Sequence, residues 1–403
     1  MMNEKKLIFD GGPFQSYWWA DEHEPYHLNA RVTIDEIVDG EALAKAWEKT
    51  KRVYPLVACV PDDEDEKIYF YAGEKPAPPV QSAKMIKPGS ETVMREGFAL
   101  SFCEDVVTLS AYHSLADEIG LLEILKTLIC FYGSQRFDKS ETVTSAMTKE
   151  NRKPEEYFVQ NTVLATKDYR PCKVVLYNNI KDIFFDETIK ADEDGAVTVG
   201  AVDIPYGEIK ESFSSGNISE DDFVAALMAK TIENIYPEDE RSLAFGMLTD
   251  FREAFGIKDT IAPCSKRMPL VLNRAEVKAF GVDQLAGLIA GKRTPQKRED
   301  YIKTHVAMEN TYGLLNLRNV CAAVNFTGNF DMGAYTSHIK NIMISDYSLC
   351  SLFAVKLGDK LKVCFQYGAR TDEYMKESVR ILSDMGVDAR ISMPAEKFFE
   401  KED

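Results

Sequence analysis

From residue 28 onward, apolar and polar side chains alternate. Leu28, Ala30, Val32 and Ile34 in HLNARVTI predict a half-buried strand. The period changes at Asp39, after which Leu43, Ala46, Trp47, Thr50 and Tyr54 fall on one helical stripe. Asp39 is the expected N-cap, and Pro55 ends the helix. An acidic loop from Asp62 to Glu66 leads into a second strand, KIYFYA, and the Pro-, Lys- and Gly-rich stretch 73–92 reads as a connection. GFALSFC and VVTLSAY flank Glu104 and Asp105 as a hairpin. HSLAD follows at once, and then a helix with Leu121, Leu122, Leu125, Leu128 and Ile129 on one face. His113 is thus expected where a strand ends, and Asp117 where a helix begins.

Residues 134–170 are polar and charged and predict a crossover, with a second half beginning near Pro171. There AVTVGAVDI, LAFGMLTDFR, VCAAVNFTGNF, CSLFAVKL and KLKVCFQYG predict strands. EDDFVAALMAKTIENIY, VKAFGVDQLAGLIAGKR and YMKESVRILSDMG predict helices. Mixed strand and helix order implies α+β halves with mixed sheets, divided as 1–170 and 171–403. No internal repeat is present.

Composition narrows the function classes. The 403 residues are 45% hydrophobic and 28% charged, which excludes a disordered or low-complexity chain. A net charge of −17 makes the phosphate term repulsive, so nucleic acid is not an expected partner. The N-terminus lacks an apolar signal core, and GLLEILKTLICFYG is interrupted by Glu123 and Lys126, so neither secretion nor a membrane span is expected. The eight cysteines contain no CxxC pair and read as reduced, mostly buried thiols of a cytoplasmic protein.

The sequence has no GxSxG or GxGxxG motif. Gly287 to Arg293 mimics a phosphate loop, but with three spacer residues and no Ser or Thr for magnesium. It reads as a helix C-terminus, and GKRTPQKR as a solvated loop. His23, His27, His113, His305 and His338 are the candidate bases, because imidazole alone exchanges protons near neutrality. Five histidines in a chain with 65 acidic residues give about 0.8 of an acidic residue at +4 by chance, so the His113–Asp117 spacing alone decides nothing.

Its surroundings do more. AYHSLADEIGLLEILKTLICFY resembles the HHxxxDG segment of the CoA-dependent acyltransferase superfamily. That superfamily includes chloramphenicol acetyltransferase, condensation domains and alcohol acyltransferases. His113 and Asp117 match; Tyr112 replaces the first His, Glu118 stands at the motif Gly, and Gly120 matches a later glycine. RVTIDEIVDGEALAKAWEKTKRVYPLVACV, TDFREAFG and VNFTGNF resemble further family segments, whereas the plant branch's DFGWG is absent.

The resemblance implies a two-lobed chloramphenicol-acetyltransferase-like α/β sandwich with its site between the lobes. It implies acyl transfer from acyl-CoA or an acyl carrier protein to an alcohol or amine acceptor. CoA thioester would be a co-substrate, and no cofactor would be tightly bound. His113 would be the general base and Asp117 a loop anchor paired with Arg252. Thr327 or a nearby backbone N–H would stabilise the oxyanion. Other readings stand beside these: Asp250 and Arg252 as a solvated strand end, Thr327-Gly328 as a turn, and Phe14, Tyr17, Trp18 and Trp19 as packing rather than an acceptor pocket. Tyr112 and Glu118 favour, as the alternative class, a non-catalytic condensation-like binding or scaffold protein; a third reading is a hydrolase that admits water.

Overall fold

A computed structural model describes residues 7–10, 27–64, 67–73, 77–113, 115–137, 182–189, 198–213, 218–252, 260–261, 263–312, 320–346, 348 and 350–397. Its first elements are β1 (Leu7–Asp10), β2 (His27–Ile34), α1 (Gly40–Val53), β3 (Cys59–Glu64), β4 (Lys67–Ala72), β5 (Val80–Gln81), β6 (Phe98–Cys103), β7 (Val106–Tyr112) and α2 (Glu118–Arg136). Then come β8 (Thr198–Pro205), α3 (Tyr206–Phe213), α4 (Glu220–Ile235), β9 (Leu243–Asp250), β10 (Ser265–Leu272), α5 (Arg274–Ala279), α6 (Val282–Lys292) and α7 (Pro295–Tyr312). The last are β11 (Ala322–Asn329), β12 (Ile339–Ser345), β13 (Ser351–Leu357), β14 (Lys360–Gln366), α8 (Thr371–Asp384) and β15 (Arg390–Lys397). Segment 138–181, which contains most of the expected crossover and Pro171, lies outside the described residues, as do Phe14, Tyr17, Trp18 and Trp19.

The chain divides into two compact units, neither continuous in sequence. One takes residues 1–164, 255–264 and 330–347, and the other takes the rest. A cut at 170 would leave 255–264 and 330–347 in the wrong half, because β12 is a strand of the first unit's sheet.

The first unit holds a five-stranded sheet in the order β12-β2-β7-β6-β5 and a three-stranded sheet, β1-β4-β3. Leu28, Ala30, Val32 and Ile34 are fully buried on one face of β2, as the alternation predicts. Helices α1 and α2 pack together. Asp39 caps α1, its Oδ1 accepting from Glu41 N and Ala42 N at 3.0 Å each. Near the other end of α2, Tyr132 donates to Glu36 at 2.8 Å and accepts from Asp39 N.

The second unit is built on a seven-stranded mixed sheet, β10-β9-β11-β13-β14-β8-β15, in which β11 runs parallel to both its neighbours. Helices α4, α5, α6 and α8 join its apolar core through Phe223, Leu227, Val277, Leu285, Met375 and Leu382.

Three local readings are corrected. Asp62 to Glu64 belong to β3 and pair with Tyr69, Ile68 and Lys67. β3 is an edge strand, where acidic side chains are tolerated because the ladder needs only backbone groups. The helix expected over 277–293 is broken at Phe280-Gly281, and Gln284 there accepts from Gly281 N to begin α6. GKRTPQKR is not a solvated loop. Lys292 ends α6, Pro295 begins α7, and Arg293 between them is 1% exposed, its NH1 2.6 Å from both Asp221 and Asp222.

Candidate active site

β7 delivers Tyr112 and His113 to the edge of a tight turn, in which Leu115 N donates to Tyr112 O at 2.9 Å. Tyr112 is held by the 88–89 bend. Its hydroxyl donates to Pro88 O at 2.8 Å, and burial pushes its phenol up to about 12. Gly89, at φ +76°, makes that contact possible, since a Cβ there would lie 2.3 Å from the Tyr112 oxygen. His113 is half-buried beside it.

The turn is anchored by Asp117, which is fully buried. One carboxylate oxygen accepts from Gly120 N and caps α2; the other accepts from Cys264 N, both at 2.8 Å. A Cβ on Gly120 would stand 2.0 Å from the Ile261 carbonyl oxygen, so only glycine admits the Ile261 backbone this close. Asp117 therefore ties the start of α2 to the backbone at Cys264. Glu118 opens the first turn of α2 and is buried, where the N-terminal end of the helix favours a carboxylate.

Arg252, the expected partner of Asp117, lies in the second unit just beyond β9. It is only 5% exposed, so it is not solvated, and its NH1 donates to Asp250 at 3.0 Å. Thr327 is buried in β11, and its hydroxyl donates to Ala354 O at 3.0 Å. Thr327-Gly328 is not a free turn but an irregularity inside the strand. The β11–β13 register shifts between Phe326 and Asn329, with Gly328 at φ +96°. Two residues earlier, Asn325 is fully buried and accepts from Arg267 Nε at 3.3 Å. Sequence reasoning singled out neither; only the β10–β9–β11 register brings them together.

Of the other histidines, His338 is paired with Asp35 at 2.8 Å and stacked on Phe137 at 3.8 Å. His23 and the His305 side chain lie outside the described residues. His27 pairs across β2–β7 with Tyr112, next to His113. Burial, reinforced by the positive charge of Lys87, lowers its imidazole to about 4. The unfolded chain takes up that proton near pH 6.5, and the folded one only near 4. Stability should therefore fall by roughly 3 kcal/mol as pH drops through this window. Denaturation midpoints measured from pH 7 to 4 should show this acid limb in the wild type and a flatter one in His27→Gln; identical limbs would contradict it. Among the described residues, no group of three or more His, Cys, Asp or Glu is disposed to hold a metal ion. Nor is any helix among them long and apolar enough to cross a membrane.

No protein-family model matches the chain, and no curated protein matches it in sequence. Solved structures do match it in fold. Polyketide synthase associated protein 5 from Mycobacterium tuberculosis aligns with a TM-score of 0.65 at 13% identity, over 94% of this chain and 98% of its own. TRI101 from F. graminearum, crystallised with ethyl coenzyme A, aligns at 0.62 and 10% identity over 92% and 96%. The epimerization domain from the third module of tyrocidine synthetase B aligns at 0.58 and 12% over 95% and 98%. These likenesses give the chain a chloramphenicol-acetyltransferase-like α+β fold.

Proposed function

We propose that the protein is an acyltransferase that moves an acyl group from a coenzyme A thioester, or an acyl carrier protein, to a hydroxyl or amine acceptor. The observation that supports this best is the clamped turn. His113 stands at the end of β7, and the next helix is fixed by the Asp117 carboxylate to Gly120 N and Cys264 N. It does so in a fold shared with a structure crystallised with coenzyme A. In the proposed step, an imidazole nitrogen of His113 removes the acceptor's proton while the acceptor oxygen or nitrogen attacks the thioester carbonyl. The tetrahedral intermediate expels the CoA thiolate, which takes that proton back from the imidazolium. Asp117 positions the loop. The oxyanion contact is proposed at Thr327 or a nearby backbone N–H. The Thr327 hydroxyl proton is given to Ala354 O, which favours the backbone N–H groups at the Gly328 irregularity as donors.

Direct transfer is favoured over a covalent route at Cys59, Cys130 and Cys321, three of the eight thiols. Burial pushes Cys130 up to about 11 and Cys321 up to about 12, and raises Cys59 as well, leaving little thiolate at neutral pH. Free-thiol release should therefore be measured with a panel of acyl-CoA donors against alcohols and amines. Intersecting initial-rate lines are expected, with no acyl adduct on the intact protein by mass spectrometry. Parallel lines with a stable adduct would overturn direct transfer. CoA binding without turnover by any donor would overturn the enzymatic reading.

A further inference from the structure

The five-stranded sheet of the first unit has one apolar face and one polar face. Register aligns Ser345 on β12 with Asn29 on β2, and Asn29 with Ser110 on β7. Residues paired directly across a ladder share a face, so the three form one row. All are buried: Ser345 and Asn29 are 0% exposed and Ser110 is 1% exposed. Among the described residues, neither the Asn29 carbonyl oxygen nor its amide nitrogen, nor the Ser345 hydroxyl, has a hydrogen-bond partner. Buried polar groups left this way cost stability, and leucine would fill the Asn29 position without that cost. Two residues further along, the same face carries His27 and Tyr112. His113 then lies three residues beyond Ser110, about 10 Å away at the rise of a strand.

We infer that the Ser345–Asn29–Ser110 row is a binding subsite for an uncharged, amide-bearing segment of a substrate. An asparagine side chain presents two N–H donors and one carbonyl acceptor, the complement of another amide. The row itself carries no formal charge, while Arg31 stands one row away on the same face of β2. Two substrates could supply such a segment: the pantetheine arm of a CoA thioester, which contains two amides, or an amide-bearing acyl acceptor. The subsite rests on the acyltransferase proposal only for this choice of source.

The test uses the side-chain amide resonances of Asn29 in the full-length ¹⁵N-labelled protein, assigned by their loss in Asn29→Leu. Pantetheine and N-methylacetamide serve as probes. A saturable shift of the Asn29 pair with pantetheine assigns the row to the CoA arm. A shift with N-methylacetamide that pantetheine does not compete away assigns it to the acceptor. In either case Asn29→Leu should weaken the responding probe at least tenfold, read from other resonances. If neither probe moves the Asn29 pair, the subsite is overturned. A protein that releases thiol from acyl-CoA while its Asn29 pair stays still keeps the enzymatic proposal and loses this one. A protein whose Asn29 pair responds without turnover does the reverse.

Discussion

Replacing His113 with alanine should lower turnover by ~10²–10⁴, the range by which a positioned general base accelerates proton transfer. This is about 3–5 kcal/mol of transition-state stabilisation. The fold should survive, because groups on either side of His113 fix the turn. Asp117 holds Gly120 N and Cys264 N, and Tyr112 holds Pro88 O. The substitution should therefore leave the thermal unfolding transition near its wild-type midpoint while thiol release from acyl-CoA collapses. Michaelis constants for donor and acceptor should change little, since a base acting in the transition state adds nothing to ground-state binding. Wild-type-like turnover in the variant would remove His113 from the mechanism.

The largest effect on stability is expected at Arg293. Its guanidinium is buried between α6 and α7, its NH1 is shared by Asp221 and Asp222, and its NH2 lies 3.4 Å from Leu248 O. Asp222 closes the α4 capping box by accepting from Ser219 N at 3.1 Å and from the Ser219 hydroxyl at 2.6 Å. The arginine thus ties the start of α4 to the α6–α7 corner and to β9. Burial and the neighbouring Asp221 charge already raise the Asp222 carboxyl, while Arg293 opposes them. Arg293→Ala leaves two buried carboxylates without their cation, which costs ~3–5 kcal/mol when a buried pair is broken this way. Sign and pH dependence follow together. In the variant, the acids' folded pKa values should rise above the unfolded ones, so the folded state binds more protons as pH falls. The stability gap to wild type should therefore narrow from pH 7 toward pH 5. Chemical denaturation at several pH values measures it; a gap below about 1 kcal/mol at pH 7 would show that the cluster relaxes or hydrates freely.

What could be read in the sequence was what is decided within a few residues. Asp39 and Asp117 act as N-caps on N–H groups two or three positions ahead, and Glu104 sits at the turn between two patterned strands. The α2 stripe and the alternation of β2 likewise need only their own periods. Arg293 was not legible, because its partners lie 71 residues away from it in the case of Asp222 and an isolated KR pair resembles any solvated helix end. Gly120 was noticed as a motif match, but its reason, the Ile261 carbonyl, comes from a distant segment. Asn29 was a polar position of a correctly expected strand. That it would be buried depends on Ser345 and Ser110 being set beside it by register. Long-range pairing, not local propensity, decides those positions.

β12 has a consequence for how the protein is made. Its residues join β2 from more than 300 positions away, Ile344 opposite Ala30, so the first unit's sheet is completed by a strand that follows all its other strands. During synthesis, β2 stands with its outer row of backbone N–H and C=O groups open until residue 345 has emerged, although its other neighbour, β7, is long finished. Pairing over such separations is slow, because the chain closes a large loop before any contact rewards it. An open edge of that kind is where a second nascent chain or a chaperone would engage. The folding of the lobe that carries His113 is therefore timed by the arrival of a strand translated long after the His113 segment itself.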